Sequence, residues 1–416
     1  MVPVESKTLI LYDRTEGKYK VMNKEMYKGS VEWGELKTPY YIFDKDEVVY
    51  RAQKIQSILD KFQGRLCYAI KANPFLVPYL DSFLSKYEVC SPGELEICRH
   101  YHISGEKIVF SGVVKSYEDM VNALNYPVDV ITIESLRHWE LLKEAVINTG
   151  KSAKVLLRLT SGAQFGMEEE DIRKILKEKN ELSGIEFEGI HYFTGTQKKG
   201  AKYEKELEFV TEFMKEIQQE FQREQMTLEY GPGLAVPYFT TDSFEEPFGI
   251  VEDMAEYIKN SAIPYKMVVE LGRYVASTCG SYVTRIVDIK KAGERKYCMV
   301  DGGIHHLNYY GQNMAMRTPI IKHISYGEVC EEREEYMICG SLCTFADILV
   351  RALPLTKPEI NDILIFENCG AYTVTEASYL FLSRDMPSIY IYQKESGLKM
   401  IRENLATWKI NIEDEK

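Results

Sequence analysis

Three groups of residues in this 416-residue chain have types and spacings that could carry out chemistry together. Lys71 ends a short apolar run, the glycine-containing segment Tyr230–Gly233 follows a second run, and Glu270 ends a third. A partly desolvated lysine amine can form a Schiff base with a carbonyl compound. The backbone N–H groups of a glycine turn can approach an anion closely. A carboxylate such as Glu270 can keep the nitrogen of a heterocycle protonated.

Each feature also has a plain structural explanation. A lysine at a strand end commonly extends its amine past apolar surface into solvent. Gly-Pro-Gly is a common turn, and Glu270 could form a local ion pair with Arg273. The functional interpretation therefore depends on a fold that brings all three groups together.

Short apolar runs alternate with amphipathic stretches between residues 39 and 280. Runs rich in β-branched and aromatic residues are typical of buried parallel strands. Eight such runs, separated by room for helices, predict a (β/α)8 barrel of the TIM type, although a doubly wound sheet alternates similarly. The runs are residues 66–71, 87–91, 107–112, 128–133, 154–159, 185–191, 226–230 and 266–271. In a barrel the C-terminal strand ends share one rim, so Lys71, Gly233 and Glu270 are expected around one cavity.

The rest of the chain has a different pattern of predicted secondary structure. From residue 281 strand patterns follow one another without long helices, which predicts a C-terminal antiparallel β domain over 281–416. Residues 1–38 contain a strand–turn–strand pattern and are expected to join that domain, leaving 39–280 for the barrel.

The composition of the chain limits its possible binding partners and its cellular compartment. A net charge of −12 argues against nucleic acid. No apolar run of about 18 residues is present to span a membrane, and no signal peptide is visible. Nine cysteines without paired CxxC spacing favour reduced thiols in a cytoplasmic protein. No metal site is predicted, because His305 and His306, being adjacent, would point to opposite faces of a strand.

The motifs resemble those of fold-type III pyridoxal-phosphate (PLP) decarboxylases, the group containing diaminopimelate and ornithine decarboxylases, over nearly the whole chain. YAIKAN (68–73) resembles the family's Schiff-base lysine motif, GPG (231–233) its phosphate-binding glycine triplet, and ELGR (270–273) its EPGR segment. GSLCTFAD (340–347) resembles the block with the catalytic cysteine, and ENCGAY (367–372) the block whose tyrosine contacts the phosphate. The resemblance implies an alanine racemase-like barrel, PLP as cofactor and an amino-acid decarboxylase activity.

The resemblance also implies individual roles. Lys71 would form the Schiff base, and Cys343 would reprotonate the substrate carbon after carbon dioxide leaves, whereas a cysteine without such a role is usually a small buried hydrophobe. The implied cofactor-binding residues are Lys71, Phe193, Gly231, Gly233, Glu270, Gly272, Arg273 and Tyr372. The implied substrate contacts are Glu88, Arg317, Thr344 and Asp347, with Glu94 as a further pocket candidate, and Arg317 could equally be a surface arginine. The family arrangement is a two-fold homodimer in which Cys343 and Tyr372 act across the interface.

Two departures from the family pattern concern the substrate. Thr344 stands where diaminopimelate decarboxylases typically carry a glutamate that recognises the distal amino group. Phe193 stands at the position of a histidine that stacks on the cofactor, and phenylalanine can stack but cannot hydrogen-bond or titrate. VPYF (236–239) and DGGIHH (301–306) look similar to a branch that includes the decarboxylase of a carrier-tethered glutamyl group in butirosin biosynthesis.

The predicted function is therefore decarboxylation of an L-amino acid or an amino-acid conjugate, free or bound to an acyl carrier protein, in a natural-product pathway. Three alternatives remain open. These are meso-diaminopimelate decarboxylation in lysine biosynthesis, amino-acid racemisation and non-catalytic PLP binding. A racemase of this fold normally uses a tyrosine where this chain has Cys343.

Overall fold

The computed structural model describes residues 8–13, 18–22, 35–179, 183–242, 247–261, 263–325 and 332–413. The chain divides into two compact units. The first, here called the β unit, comprises Met1–Val48, Pro237–Phe244 and Ala276–Lys416; the second, the barrel unit, comprises Val49–Val236 and Glu245–Val275. The sequence-based boundaries at 38/39 and 280/281 stay a prediction.

The β unit begins with strands β1 (Thr8–Asp13), β2 (Lys18–Met22) and β3 (Tyr40–Asp44). Strands β1 and β2 pair antiparallel, as the strand–turn–strand pattern predicted, and the turn at 14–17 lies outside the described residues. Helix α1 (Lys45–Leu59) then leads to the barrel strands.

The barrel unit repeats a strand followed by a helix. Its strands are β4 (Arg65–Ala69), β5 (Lys86–Val89), β6 (Ile108–Phe110), β7 (Val130–Ile133), β8 (Ala153–Leu159), β9 (Ile185–Phe193), β10 (Thr227–Gly231) and β11 (Lys266–Leu271). Its helices are α2 (Val77–Leu80), α3 (Pro92–His100), α4 (Tyr117–Asn125), α5 (Leu136–Thr149), α6 (Glu169–Lys179), α7 (Lys202–Glu220), α8 (Gly249–Asn260) and α9 (Arg273–Ala276). The strands close into a barrel in the order β10-β11-β4-β5-β6-β7-β8-β9, all parallel.

This closed barrel confirms the predicted fold, because each of the eight apolar runs overlaps one of its strands. Cys67, Val109, Val130 and Leu156 come from four different strands and form one buried cluster. Parallel strands covered on both faces need such continuous apolar runs.

Serine side chains begin several barrel helices. Ser91 accepts from the backbone N–H of Glu94, 3.2 Å away, at the start of α3, and Ser116 and Asp119 form a reciprocal capping box at the start of α4. These side chains satisfy N–H groups that have no partner within the helix. Within the described ranges, no helix combines the length and apolarity needed to cross a membrane.

The β unit continues with eight further strands. They are β12 (Gly280–Ala292), β13 (Arg295–Val300), β14 (Ile321–Ser325), β15 (Glu334–Cys339), β16 (Ile348–Leu355), β17 (Ile363–Glu367), β18 (Ser388–Gln393) and β19 (Gly397–Arg402). Most neighbours pair antiparallel, including the predicted β12–β13 hairpin, which turns at Gly293 with a φ of 62°. Two pairings differ from the antiparallel prediction: β13 pairs parallel with β15, and β3 pairs parallel with β18. Both join strands that are distant in sequence, which a local pattern cannot reveal.

Candidate active site

The barrel unit brings Lys71, Glu88 and Glu270 together. Lys71 lies in a short 3-10 turn, Ile70–Ala72, directly after β4, whereas Glu88 and Glu270 lie on strands β5 and β11. The Lys71 Nζ is 2.7 Å from Glu88 Oε2 and 3.4 Å from Glu270 Oε1. The lysine is partly exposed while both carboxylates are buried. An amine is therefore held between two acids at the C-terminal end of the barrel strands.

Cys90 and Glu94 lie just beyond this group. The Cys90 Sγ is 3.4 Å from Lys71 Nζ and donates to Glu88 Oε1 at 3.2 Å. Glu94 Oε2 accepts from the Cys90 backbone N–H at 2.6 Å. Glu94 thus shapes the loop after β5.

His191 and Glu229 extend the group deeper into the barrel. His191 Nε2 is 3.2 Å from Glu270 Oε2. His191, Glu229 and Glu270 each have one nitrogen or carboxylate oxygen atom within 4.8 Å of the corresponding atoms of the other two. All three side chains are buried. Sequence reasoning missed Glu229, although it lies two residues before Gly231 and therefore on the same face of β10.

Burial and mutual repulsion set different protonation states for these acids. Burial, with a contribution from Glu270, raises the pKa of Glu229 well above its usual value and also raises the pKa of Glu88. Burial would raise the pKa of Glu270 too, but the Lys71 ammonium and the hydrogen bond with Glu88 hold it below its usual value. Burial and the charge of Arg158 lower the pKa of His191 to about 3. At neutral pH Glu270 is therefore the anion beside a neutral imidazole.

The glycines predicted to hold a phosphate lie where side chains would not fit. A Cβ on Gly231 would lie 2.5 Å from the Phe193 ring. Gly233 has a φ of 58°, and a Cβ there would lie 1.8 Å from the Gly195 carbonyl oxygen. Only glycine combines that backbone conformation with so close an approach. A glycine turn of this kind is the type of backbone that can bind an anion through its N–H groups.

Gly272 and Arg273 follow β11. A Cβ on Gly272 would lie 3.0 Å from the Ala72 Cβ, next to Lys71 in sequence. The Arg273 Nε donates to Thr196 Oγ1 at 3.2 Å. Sequence reasoning did not single out Thr196, whose hydroxyl lies in the GTQ segment after β9.

Phe193, the last residue of β9, has a cation beside it. The Arg158 guanidinium carbon is 6.0 Å from the Phe193 ring centroid and 5.0 Å from that of Phe165, and Arg158 forms a 2.8 Å ion pair with Glu134. Sequence reasoning also missed Arg158. Its signal was an arginine inside an otherwise apolar strand, which needs a buried partner.

In the β unit, Cys343 and Thr344 lie exposed on the loop between β15 and β16. Asp347 closes the base of this loop and is buried: its Oδ1 accepts from the Ile304 N–H at 2.8 Å and its Oδ2 from the Leu342 N–H at 2.7 Å. Both Asp347 oxygens thus have structural partners, and its predicted contact with substrate stays a prediction.

Tyr372 and Arg317 occupy other parts of the β unit. Tyr372 is half-buried with a φ of 66°. The Arg317 Nη2 is 2.7 Å from Asp242 Oδ1, and its guanidinium carbon is 3.9 Å from the Phe239 ring centroid. Arg317 is therefore held in place by an acid and an aromatic ring, and its role toward substrate stays a prediction.

The histidine pair corrects one step of the sequence argument. His305 and His306 lie in a turn, not on a strand, and their ring centroids are 3.6 Å apart. The argument that adjacent side chains diverge was therefore wrong here, and the expectation of no metal stays a prediction.

Two family models match the chain. The pyridoxal-binding domain of pyridoxal-dependent decarboxylases matches residues 45–277, and the C-terminal sheet domain of the same enzymes matches residues 273–370.

Named relatives cover most of the chain. The L-glutamyl-[BtrI acyl-carrier protein] decarboxylase of Niallia circulans is 25% identical, over 88% of this chain and 91% of its own. A diaminopimelate decarboxylase of Methanocaldococcus jannaschii is 24% identical, over 88% of both chains. The 2-[(L-alanin-3-ylcarbamoyl)methyl]-2-hydroxybutanedioate decarboxylase of Staphylococcus aureus is 24% identical, over 85% of this chain and 94% of its own.

Solved structures share the fold. The diaminopimelate decarboxylase from M. jannaschii superposes with a TM-score of 0.83 at 21% identity, covering 98% of both chains. A complex of SrLDC with PLP and cadaverine gives a TM-score of 0.78 at 23% identity, covering 90% of this chain and 95% of that one.

The barrel site fits the cofactor that these matches imply. It offers an amine at Lys71, an anionic carboxylate at Glu270 and a glycine turn over 231–233, which suit an aldehyde, a pyridine nitrogen and a phosphate respectively. The predictions of PLP as cofactor and of an amino-acid decarboxylase are confirmed. Because the family match spans more than half of its residues, this chain belongs to the pyridoxal-dependent decarboxylases.

Proposed function

We propose that the chain decarboxylates an L-amino acid, or an amino acid joined to a larger group, at a site built around Lys71. The observation that carries this proposal is the position of the Lys71 amine, between Glu88 and Glu270 at the C-terminal end of the barrel strands, where β10 also ends in a glycine turn. Each part suits one end of the same cofactor.

The cofactor, when bound, supplies the electron sink that accepts the electron pair left on the substrate carbon as carbon dioxide leaves. Lys71 would bind it covalently, and Glu270 would keep its ring nitrogen protonated. Gly231, Gly233 and the Gly272–Arg273 segment would hold its phosphate. Phe193 would cover one ring face, where its phenyl group stacks but carries no proton.

Cys343 is proposed to return a proton to the substrate carbon, and Tyr372 to contact the phosphate. We further propose that these residues act in a two-fold homodimer with composite sites, as the family resemblance implies. The exposed position of Cys343 on a loop with a rigid base supports this role. Arg317 is proposed to bind a substrate carboxylate, since a guanidinium pairs with carboxylates in two parallel hydrogen bonds.

The proposed substrate is a conjugate, not a free diamino acid. Thr344 offers no charge to a distal ammonium. The names of the N. circulans and S. aureus relatives both describe amino acids joined to a larger group, one as a glutamyl unit on a carrier protein. We place this activity in a cytoplasmic natural-product pathway. Diaminopimelate remains the second candidate, since the M. jannaschii relative acts on it by name.

The test is a substrate panel with carbon dioxide release as the measurement. Carrier-bound glutamate is expected to react, with free diaminopimelate, lysine, ornithine and glutamate at least about tenfold slower in kcat/KM, since a missing or unpaired charge contact changes the barrier by about 1.4 kcal/mol or more. Thr344→Glu should raise kcat/KM for diaminopimelate. Thr344→Gln should not, because glutamine has the size of glutamate but carries no charge.

Two outcomes would contradict this proposal. Fastest turnover of diaminopimelate by the unchanged protein would remove the argument from Thr344. Racemisation without gas release would remove the reaction type.

A further inference from the structure

The β unit contains a cavity of about 400 Å³ that is lined only by its own residues. This volume lies within the range of roughly 300 to 1,000 Å³ found for small-molecule sites. The charged lining residues are Lys37, Arg384, Asp301 and Asp385, so the formal charge is 2 − 2 = 0. A cavity wall with equal numbers of positive and negative side chains suits a ligand that carries one positive and one negative charge.

His305 supplies an independent indication of a ligand. It lines this cavity with 0% of its surface exposed, and neither ring nitrogen has a hydrogen-bond partner among the described residues. Burial lowers its pKa to about 4, so the neutral ring offers one donor and one acceptor. Buried polar groups are rarely left unsatisfied, and such a group calls for a ligand or an ordered water.

The charged groups of the wall are incompletely paired. Across the described residues, neither Lys37 nor Arg384 has a carboxylate within ion-pair distance, and the Arg384 Nη2 donates to the Ser341 carbonyl oxygen at 3.0 Å. Asp385 Oδ2 accepts from Asn404 Nδ2 at 3.1 Å. Asp301 is better satisfied, accepting from Thr284 Oγ1 at 2.6 Å among others. Among the described residues, neither cation is therefore ion-paired, and the Asp385 carboxylate can accept a further donor besides Asn404.

We propose that this cavity is a second binding site, for a free α-amino acid as its zwitterion. Lys37 and Arg384 hold the carboxylate, Asp385 holds the ammonium, and His305 completes its hydrogen bonds to the ligand. The apolar side chains of Met386, Pro387 and Pro39 face the ligand's side chain.

The cavity is connected to the loop that carries Cys343. Arg384 donates to Ser341, two residues before Cys343, and the Ser341 N–H donates to the Gly302 carbonyl oxygen at 2.7 Å. The Asp347 carboxylate joins Ile304, next to His305, to Leu342, next to Cys343. Occupancy of the cavity therefore stiffens the cysteine loop. This coupling, unlike the binding, rests on the role proposed for Cys343.

Binding is tested on holoenzyme whose Lys71–cofactor bond has been reduced with borohydride, because the blocked active site can no longer take up an amine. Titration calorimetry with L-glutamate and with L-lysine should show one site per chain for at least one of them. Lys37→Gln, at the exposed edge of the cavity, should weaken binding about tenfold, as should Asp385→Asn, since each removes a charged hydrogen bond. Lys399→Gln, an exposed lysine of the same unit outside the cavity, should leave the affinity unchanged.

Three results would overturn the site. These are no binding of either amino acid, binding by Lys37→Gln and Asp385→Asn as tight as by the unsubstituted protein, or binding of inorganic phosphate as tight as that of the amino acid. His305→Phe, if it folds, should also lose binding. A protein that retains no cofactor mass after reduction would instead contradict the proposed function, and weaker binding by Lys37→Gln and Asp385→Asn would then still assign the calorimetric signal to this cavity.

Coupling is tested in the same reduced protein by the rate at which iodoacetamide alkylates Cys343. A saturating amino acid should slow the alkylation of Cys343 about twofold or more. In Lys37→Gln the same ligand concentration should give no such protection. An unchanged rate in the unsubstituted protein would remove the coupling.

Discussion

In the barrel unit the Lys71 amine lies 2.7 Å from Glu88, and Glu270 has only 7% of its surface exposed, whereas in the β unit Cys343 lies exposed at the tip of a loop. The barrel groups perturb one another because they share a low-dielectric interior. The cysteine loop has a buried base, at Asp347, and among the described residues the Cys343 thiol makes no hydrogen bond or ion pair. The barrel groups thus perturb one another within one unit, whereas the role proposed for Cys343 requires a second surface beside it.

The largest effect should come from removing the barrel amine. Lys71→Ala should lower kcat by roughly four to six orders of magnitude, as removal of a covalent catalytic group does. It should also remove the visible absorbance of the lysine-bound cofactor. Lys71→Arg keeps the cation between Glu88 and Glu270, so it should match the unsubstituted protein in stability while remaining inactive. Substantial turnover by either variant would show that another group binds the cofactor.

Substitutions of the two buried acids Glu270 and Glu229 should have different effects on kcat, because only Glu270 is ionised at neutral pH. Glu270→Gln removes an anion and should lower kcat about 10²- to 10³-fold, the range for losing a preorganised electrostatic partner. Glu229→Gln imitates the protonated carboxyl group that the raised pKa of Glu229 indicates, and kcat should stay within about threefold of its original value. Equal losses in both variants would mean that Glu229 is also ionised. Steady-state rates and the cofactor spectrum provide the measurement.

The β-unit loop should affect the chemical step without affecting cofactor binding. Cys343→Ala should lower kcat about 10²-fold, as expected for loss of a positioned acid, while the visible absorbance remains. Cys339→Ala, at a half-buried thiol on β15, serves as the control and should leave kcat within about threefold. Loss of absorbance in Cys343→Ala would contradict the contrast between the two units.

The smallest effect should be a pH-dependent contribution of His191 to stability. Its folded-state pKa of about 3 lies below the ordinary 6.5, so the unfolded chain binds the extra proton and this contribution is lost as pH falls from 6.5 toward 3. Between about pH 7 and pH 5 the free energy of unfolding should fall by roughly 2 kcal/mol more in the unsubstituted protein than in His191→Gln. Urea titrations at both pH values measure this. The exposed His100→Gln should lose as much stability between the two pH values as the unsubstituted protein. An equal loss in His191→Gln would refute the lowered pKa of His191.

The sequence was sufficient to predict the barrel and the meeting of Lys71 with Glu270, because strand periodicity is a local rule and the shared rim of a barrel is a topological one. It did not predict that Glu88 contacts the Lys71 amine. It did not predict that Glu229 and His191 lie beneath Glu270. Both lie on strands two residues before a singled-out position, so alternation along the strand carried the signal.

Other features depend on packing between distant segments. The close approach of the His305 and His306 rings requires a turn, whereas the sequence argument had placed both residues on a strand. The parallel pairing of β13 with β15 requires knowledge of where the intervening chain returns. The partners of Arg317, Asp242 and Phe239, lie more than 70 positions away, and no spacing rule connects them.

Strand β3 has a consequence for how the protein is made. This strand, Tyr40–Asp44, pairs on one side with β12 and on the other with β18, so one neighbour begins at residue 280 and the other at residue 388. During translation the ribosome releases the whole barrel before β3 acquires its first partner and nearly the whole chain before it acquires its second. A transcript that ends early leaves an unpaired strand edge, which is a template for aggregation and for recognition by proteases.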